Sequence, residues 1–133
     1  MSTTWILVAN ARHARLFANH GPNQGLELVK ESVVEHSAEA MTRPEGGRSP
    51  RRGDPPKHDA LGFAHRLARE LYQGRSRGRY ARAILVAPPG FMGMLNSELD
   101  RPTAHLISNR LDKDYTKTEK RALCTHLENC LCI

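Results

Sequence analysis

Ala83-Ile84-Leu85-Val86-Ala87, followed at once by Pro88-Pro89-Gly90, is the stretch whose reading settles the fold. Five apolar residues in a row, with no polar alternation, are the pattern of a central strand covered on both faces. Proline has no N–H to give a ladder, so the strand stops at Pro88. Phe91 to Leu99 then opens a helix whose core residues are Phe91, Met92, Leu95 and Leu99.

Upstream, Asp59 suits the N-cap of a longer helix. Ala60, Leu61, Ala64, Leu67, Ala68, Leu71 and Tyr72 recur at helical spacing and predict its buried face. His65, Arg66, Arg69 and Gln73 fall on the other side, and Gly74 to Gly78 ends the helix. Near the N-terminus, Thr4 to Ala9 and Ala14 to Ala18 read as two short strands. Asn10-Ala11-Arg12-His13 is the hairpin loop between them, since asparagine tolerates positive φ. Gly21-Pro22-Asn23-Gln24-Gly25 is a turn, and Leu26 to Val33 is a third strand with partial alternation.

Downstream, Ala104 to Arg110 is expected to be a fifth strand with Leu106 in the core, a helix there being the open alternative. Thr116 to Leu131 reads as the last helix, with Thr116 or Thr118 near its cap and Leu123, Leu127, Cys130 and Leu131 inward. The order βββ-αβαβα predicts an α/β fold, a mixed β-sheet of about five strands with helices packed on it. The 133 residues suffice for a single domain, residues 1–133. Between His36 and His58 the apolar pattern vanishes among Pro44, Gly46, Gly47, Pro50, Gly53, Pro55 and Pro56. A loop that long, about residues 36–58, is expected to be disordered or functional.

The net charge of +6 is concentrated. From Arg43 to Arg82 there are eleven basic residues, ten of them arginine, against four acids, so this stretch carries +7 and the remainder −1. Arginine suits phosphate because its planar fork donates two parallel hydrogen bonds. The plain alternative is a solvated basic surface that only keeps the chain soluble. Aromatics are 5% of the chain, too few for sequence-specific stacking on single strands, so backbone or shape contact with RNA is expected instead.

Several chemistries are excluded. The strand order is similar to the ribonuclease-H-like architecture, but two-metal phosphoryl chemistry needs converging carboxylates. Neither Thr4 to Asn10 nor Ala83 to Ala87 holds an Asp or Glu. Cys124, His126, Cys130 and Cys132 could in principle ligate zinc, yet 124 and 126 point in nearly opposite directions on a helix. Three cysteines close to the C-terminus make no disulfide framework. Ser49 lacks a nucleophile elbow, and Gly46-Gly47 fits neither a Walker loop nor a dinucleotide fingerprint. No metal and no cofactor are expected. A mean hydropathy of −0.55 without a long apolar run predicts no membrane insertion, and the absence of a basic leader predicts a cytoplasmic protein.

Two stretches carry a family resemblance. Trp5-Ile6-Leu7-Val8-Ala9-Asn10-Ala11-Arg12-His13-Ala14-Arg15-Leu16-Phe17 resembles the opening of the bacterial host-attachment protein family. Leu85-Val86-Ala87-Pro88-Pro89-Gly90-Phe91-Met92-Gly93 is similar to its second signature, and Lys113-Asp114-Tyr115-Thr116 also fits. That family is in turn similar to the middle domain of archaeal and eukaryotic peptide-chain release factors. The resemblance implies the same core sheet and a loop that, in release factors, carries a Gly-Gly-Gln motif into the ribosome. Here the place reads Gly46-Gly47-Arg48-Ser49, so the glutamine that positions water is missing and hydrolysis is not expected.

A non-enzymatic binding protein is therefore expected. Its RNA-contacting residues would be Gly46, Gly47, Arg48, Arg51, Arg52 and Lys57 of the arm, with Arg66 and Arg69 of the helix face. Its expected partner is the ribosome or another structured RNA. The first alternative is a role in attachment to host cells or surfaces through a protein partner. The second is a small hydrolase using a pocket at the strand ends, lined by Asn10, Arg12, Pro88, Pro89 and Gly90.

Overall fold

A computed structural model describes residues 2–34 and 57–128. Along the chain run β1 (Thr4–Ala9), β2 (His13–Asn19), β3 (Glu27–Val33), α1 (Lys57–Ser76), β4 (Arg82–Val86), α2 (Pro89–Glu98), α3 (Arg101–His105), β5 (Ile107–Leu111) and α4 (Lys120–His126). The strands form one sheet in the order β3-β2-β1-β4-β5. β1 pairs parallel with β4 and β4 parallel with β5, while β1–β2 and β2–β3 are antiparallel. This is the expected α/β fold with a mixed sheet.

All six residues of β1 are buried, and their period of two deals them to opposite layers. Trp5 and Leu7 join Leu16, Leu85, Phe63, Leu67, Leu71, Phe91 and Leu95 beneath α1 and α2. Ile6 and Val8 join Phe17, Ile84, Val86, Leu123 and Leu127 beneath α4. The continuous apolar run of β4 is thus covered on both faces, as its sequence predicts.

Several boundaries differ from expectation. Ala104 and His105 are helical, and the fifth strand starts only at Ile107. The Asp100 side chain accepts from the Thr103 N–H, and Pro102 suits a first turn, so a short helix forms before the strand. Ile107, not Leu106, enters the core. The last helix begins at Lys120 rather than Thr116, because Thr116 is buried in a turn and bonded to Asp114. Cys130 and Leu131 lie outside the described residues. α1 starts at Lys57, which puts Asp59 in its first turn instead of at the N-cap, and it runs past Gly74 to Ser76. Leu61 and Tyr72, expected inward, are 38% and 48% exposed, and Phe63 is the buried residue of that turn.

Direction matters for the site. The Ala81 N–H donates to the Thr3 carbonyl at 2.8 Å, so α1 ends beside the start of β1 and begins at the opposite, carboxyl end of the parallel strands. β3 also finishes there, its Val33 opposite His13. Near the other end, Tyr80 stacks on Trp5 with ring centroids 4.6 Å apart and its hydroxyl donates to the Leu71 carbonyl at 2.6 Å. Burial pushes the Tyr80 hydroxyl up to about 12, so it keeps its proton and remains a donor. Tyr80→Phe should cost about 1 kcal/mol, the net worth of one buried hydrogen bond. The raised value stabilises the fold below the ordinary tyrosine value near 10, and that stability is lost as pH rises through about 12. Urea titrations at neutral and alkaline pH should show the alkaline loss in the wild type and not in Tyr80→Phe.

Candidate nucleic-acid interface

The sequence of α1 alternates its load around the helix. Ala60, Phe63, Ala64, Leu67, Ala68 and Leu71 are buried, which turns His65, Arg66, Arg69 and Tyr72 to solvent. The Arg66 guanidinium lies over the Phe63 ring, 5.2 Å being the matching figure for Arg75 over Tyr72 and 5.3 Å for Arg66 itself. Arg75 is committed further, since its Nε donates to the buried Thr103 hydroxyl at 3.0 Å and its Nη2 lies 3.5 Å from Asp100. Burial pushes the Asp100 carboxyl up, but hydrogen bonds from Thr103 and the charge of Arg75 outweigh it, and the net is below the ordinary value.

The helix closes through Gly78, whose φ of +67° supplies the left-handed residue a C-terminal cap requires. The Arg79 N–H reaches back to the Gly74 carbonyl at 2.8 Å, and the turn presents Arg77 and Arg79 to solvent. Four arginines of this ridge, Arg66, Arg69, Arg77 and Arg79, have no carboxylate partner among the described residues. Glu70, the acid between them, is held by Lys30 at 2.5 Å. Grooves flank the ridge on both sides. One of about 380 Å³ is lined by His65, Ala68, Arg69, Tyr72, Glu98 and Asp100. In it Glu98 is paired with His65 at 2.9 Å. The other, of about 260 Å³, lies between α1 and the β2–β3 edge, with Arg77 and Arg79 at its rim.

Of the RNA-contacting residues expected from sequence, Arg66 and Arg69 are exposed side by side on α1. Lys57 is the first residue of that helix. Gly46, Gly47, Arg48, Arg51 and Arg52 lie outside the described residues. Sequence reasoning counted Arg77 and Arg79 in the basic stretch but assigned them no place, because nothing local shows that a glycine turn leaves both unpaired beside a groove. Tyr72 was missed because its position fits the apolar spacing.

At the strand ends Asn10 is the hub of a hydrogen-bond network. The Asn10 side chain accepts the N–H groups of Arg12 and His13 at 2.8 Å each. Its Nδ2 donates to Asp114 at 2.9 Å and Thr116 at 3.1 Å. The hairpin is therefore built by this side chain and not by a positive φ at Asn10. Burial pushes the Asp114 carboxyl up, but the hydrogen bonds from Thr116 and Asn10 together hold it below the ordinary value. Arg15 completes the latch by donating through Nη2 to the carbonyls of Tyr115 and Thr118 at 2.6 and 2.7 Å. Arg12 is exposed, Pro88 is the N-cap of α2, and Pro89 and Gly90 form its exposed first turn. The Asn10 side chain is thus engaged in four hydrogen bonds within the fold.

Among the described residues no group of three or more His, Cys, Asp and Glu could hold a metal ion. Cys124 packs against the α4-side core, and Cys130 and Cys132 lie outside the described residues. No described helix is long and apolar enough to cross a membrane.

Comparison with known proteins gives one family, described as "Protein required for attachment to host cells", whose profile matches residues 5–127. No curated protein matches the chain. Among solved structures, the type II variant of the Aquifex aeolicus Ppx/GppA phosphatase is similar at 8% identity with a TM-score of 0.46. The match covers 84% of this chain and 35% of that one, so this chain spans about a third of that protein's length.

Proposed function

The chain belongs to the family of proteins required for attachment to host cells, and we propose that it works as a non-enzymatic binding protein that tracks the phosphates of a structured RNA. One observation carries this reading. Arg66, Arg69, Arg77 and Arg79 line a single helix and its closing turn, exposed and without a carboxylate partner among the described residues. Unpaired guanidiniums in a row fit a polyanion whose charges are themselves in a row. The sequence adds Gly46-Gly47-Arg48 and Arg51-Arg52 between Val33 and Lys57. β3 ends and α1 begins at the same end of the sheet. The sequence resemblance of Gly46-Gly47-Arg48 to the release-factor loop is the reason to try ribosomal RNA first, and a cytoplasmic location goes with that proposal.

Co-sedimentation with ribosomes and with naked structured RNA, across a salt series, tests the reading. Binding should weaken steeply with salt. Arg66→Ala with Arg69→Ala should flatten the slope of log K against log salt by about 2, one per lost phosphate contact. A triple variant, Arg48→Ala, Arg51→Ala and Arg52→Ala, should flatten it further. No binding at low salt would sink the reading.

A second reading rests on the edge of the sheet, where β3 pairs only with β2 among the described residues. β3 is an edge strand with Leu28, Val29 and Val33 exposed at 47%, 47% and 60%. Such an edge can add a partner's strand, which would suit a role in attachment through a protein. Detection of the protein on the cell surface would favour it over the RNA reading.

A further inference from the structure

We propose that the groove between the C-terminal half of α1 and the β2–β3 edge holds one nucleotide of the bound strand, its base on an apolar floor and its phosphate between Arg77 and Arg79. This deepens the RNA reading and rests on it for the source of the nucleotide. The floor is made by Trp5, Leu16 and Val29, and Gln73 lies on the α1 side. The volume of about 260 Å³ falls below the roughly 300–1,000 Å³ of sites that enclose a drug-sized ligand, so it suits one base with part of its sugar.

The charges in the groove are unequal in availability. Lys30 and Glu70 neutralise each other across it at 2.5 Å. The guanidiniums of Arg77 and Arg79 have no hydrogen-bond or ion-pair partner among the described residues. They stand on either side of Gly78, whose φ of +67° bends the chain between them. Two arginine forks beside the floor of Trp5, Leu16 and Val29 match a phosphate whose sugar carries a flat base. The side-chain amide of Gln73 offers a donor and an acceptor to a base edge. An acidic peptide would meet the same two cations. It would gain less from Arg66 and Arg69 on the same helix, since its charges do not continue in a row as those of a phosphate backbone do.

Trp5 is the only tryptophan in the chain, so its fluorescence reports on this groove directly. The titration uses a short single-stranded oligoribonucleotide, adenosine monophosphate, inorganic phosphate and an acidic peptide rich in leucine. The oligonucleotide should change Trp5 emission saturably, and Arg77→Gln with Arg79→Gln should weaken that binding by about tenfold or more while thermal unfolding stays unchanged. Val29→Glu, which places a carboxylate on the exposed floor, should abolish it as an independent check. Adenosine monophosphate binding more weakly than the oligonucleotide assigns the site to a strand, and equal affinity assigns it to a free nucleotide. Both support a nucleotide site. Inorganic phosphate or the acidic peptide changing the emission as strongly as the oligonucleotide would overturn it. So would ribosome or RNA binding that depends on Arg66 and Arg69 but leaves Trp5 emission and the Arg77/Arg79 variant unaffected. In that case the RNA reading stands alone. Conversely, adenosine monophosphate bound through Arg77 and Arg79 by a protein that never co-sediments with RNA would keep the nucleotide site and end the RNA reading.

Discussion

Replacing Asn10 by alanine should lower the stability of the fold by about 3 kcal/mol, as four hydrogen bonds of about 1 kcal/mol each are lost and part of the loss is made up by water. Two of those bonds shape the β1–β2 turn, and the other two tie it to Asp114 and Thr116. Asn10→Asp separates the two jobs. The introduced carboxylate still accepts the N–H groups of Arg12 and His13, but it now faces the Asp114 carboxylate where an amide donated at 2.9 Å. At neutral pH the two negative charges repel, and the variant should be destabilised.

The pH dependence has opposite signs in the two proteins. In the wild type, Asp114 is held below its ordinary value, so its contribution is present above the usual carboxylate range near pH 4 and is lost as pH falls through the lowered value. In Asn10→Asp the facing carboxylates raise one another, so the repulsion fades as pH falls and one of them takes a proton. Urea midpoints from pH 7 down to pH 4 should therefore converge between the variant and the wild type. Asn10→Ala, with no added charge, should keep its deficit over the same range. A constant gap for Asn10→Asp would mean that Asn10 and Asp114 do not meet as described.

The sheet was legible because its signals are local. A run such as Ala83 to Ala87 needs no knowledge of its neighbours to read as a buried strand, and paired prolines end it wherever it sits. The helix face of α1 was legible for the same reason, and Arg66 and Arg69 follow from it. The strand-end pocket read from Asn10, Arg12 and Pro88 to Gly90 rested on a position in the topology. In the fold its Asn10 has partners about a hundred residues away, Asp114 and Thr116, which no local pattern links to it. Tyr72 shows the limit of periodicity, since apolar spacing put it inside while the packing of α2 and α3 leaves it 48% exposed beneath Arg75. The groove beside Arg77 and Arg79 depends on which strand edge α1 covers, and that is decided by the whole sheet.

A contact, not the end of the helix, accounts for Gly74. It lies inside α1, where glycine costs about 1 kcal/mol relative to alanine. A Cβ built on it would stand 2.5 Å from Cζ3 of Trp5, closer still to Cη2, and 3.0 Å from Cε1 of Tyr80. Trp5 cannot swing away freely, since it sits in the middle of the sheet and stacks on Tyr80. Overpacking of this kind costs about 3 kcal/mol, and the gain in helix propensity returns about 1, so Gly74→Ala should lose about 2 kcal/mol. Its Trp5 emission should shift as the indole is displaced. In a Trp5→Phe background the two clashing ring atoms are gone. There the same substitution should cost little or even stabilise, a coupling that a double-mutant cycle measures. Gly78→Ala is the control. No atom lies within 4 Å of a Cβ there, and its cost comes from a φ of +67° that alanine resists. Trp5→Phe should leave that cost untouched, so rescue at position 74 without rescue at 78 identifies the indole contact as the reason for the glycine.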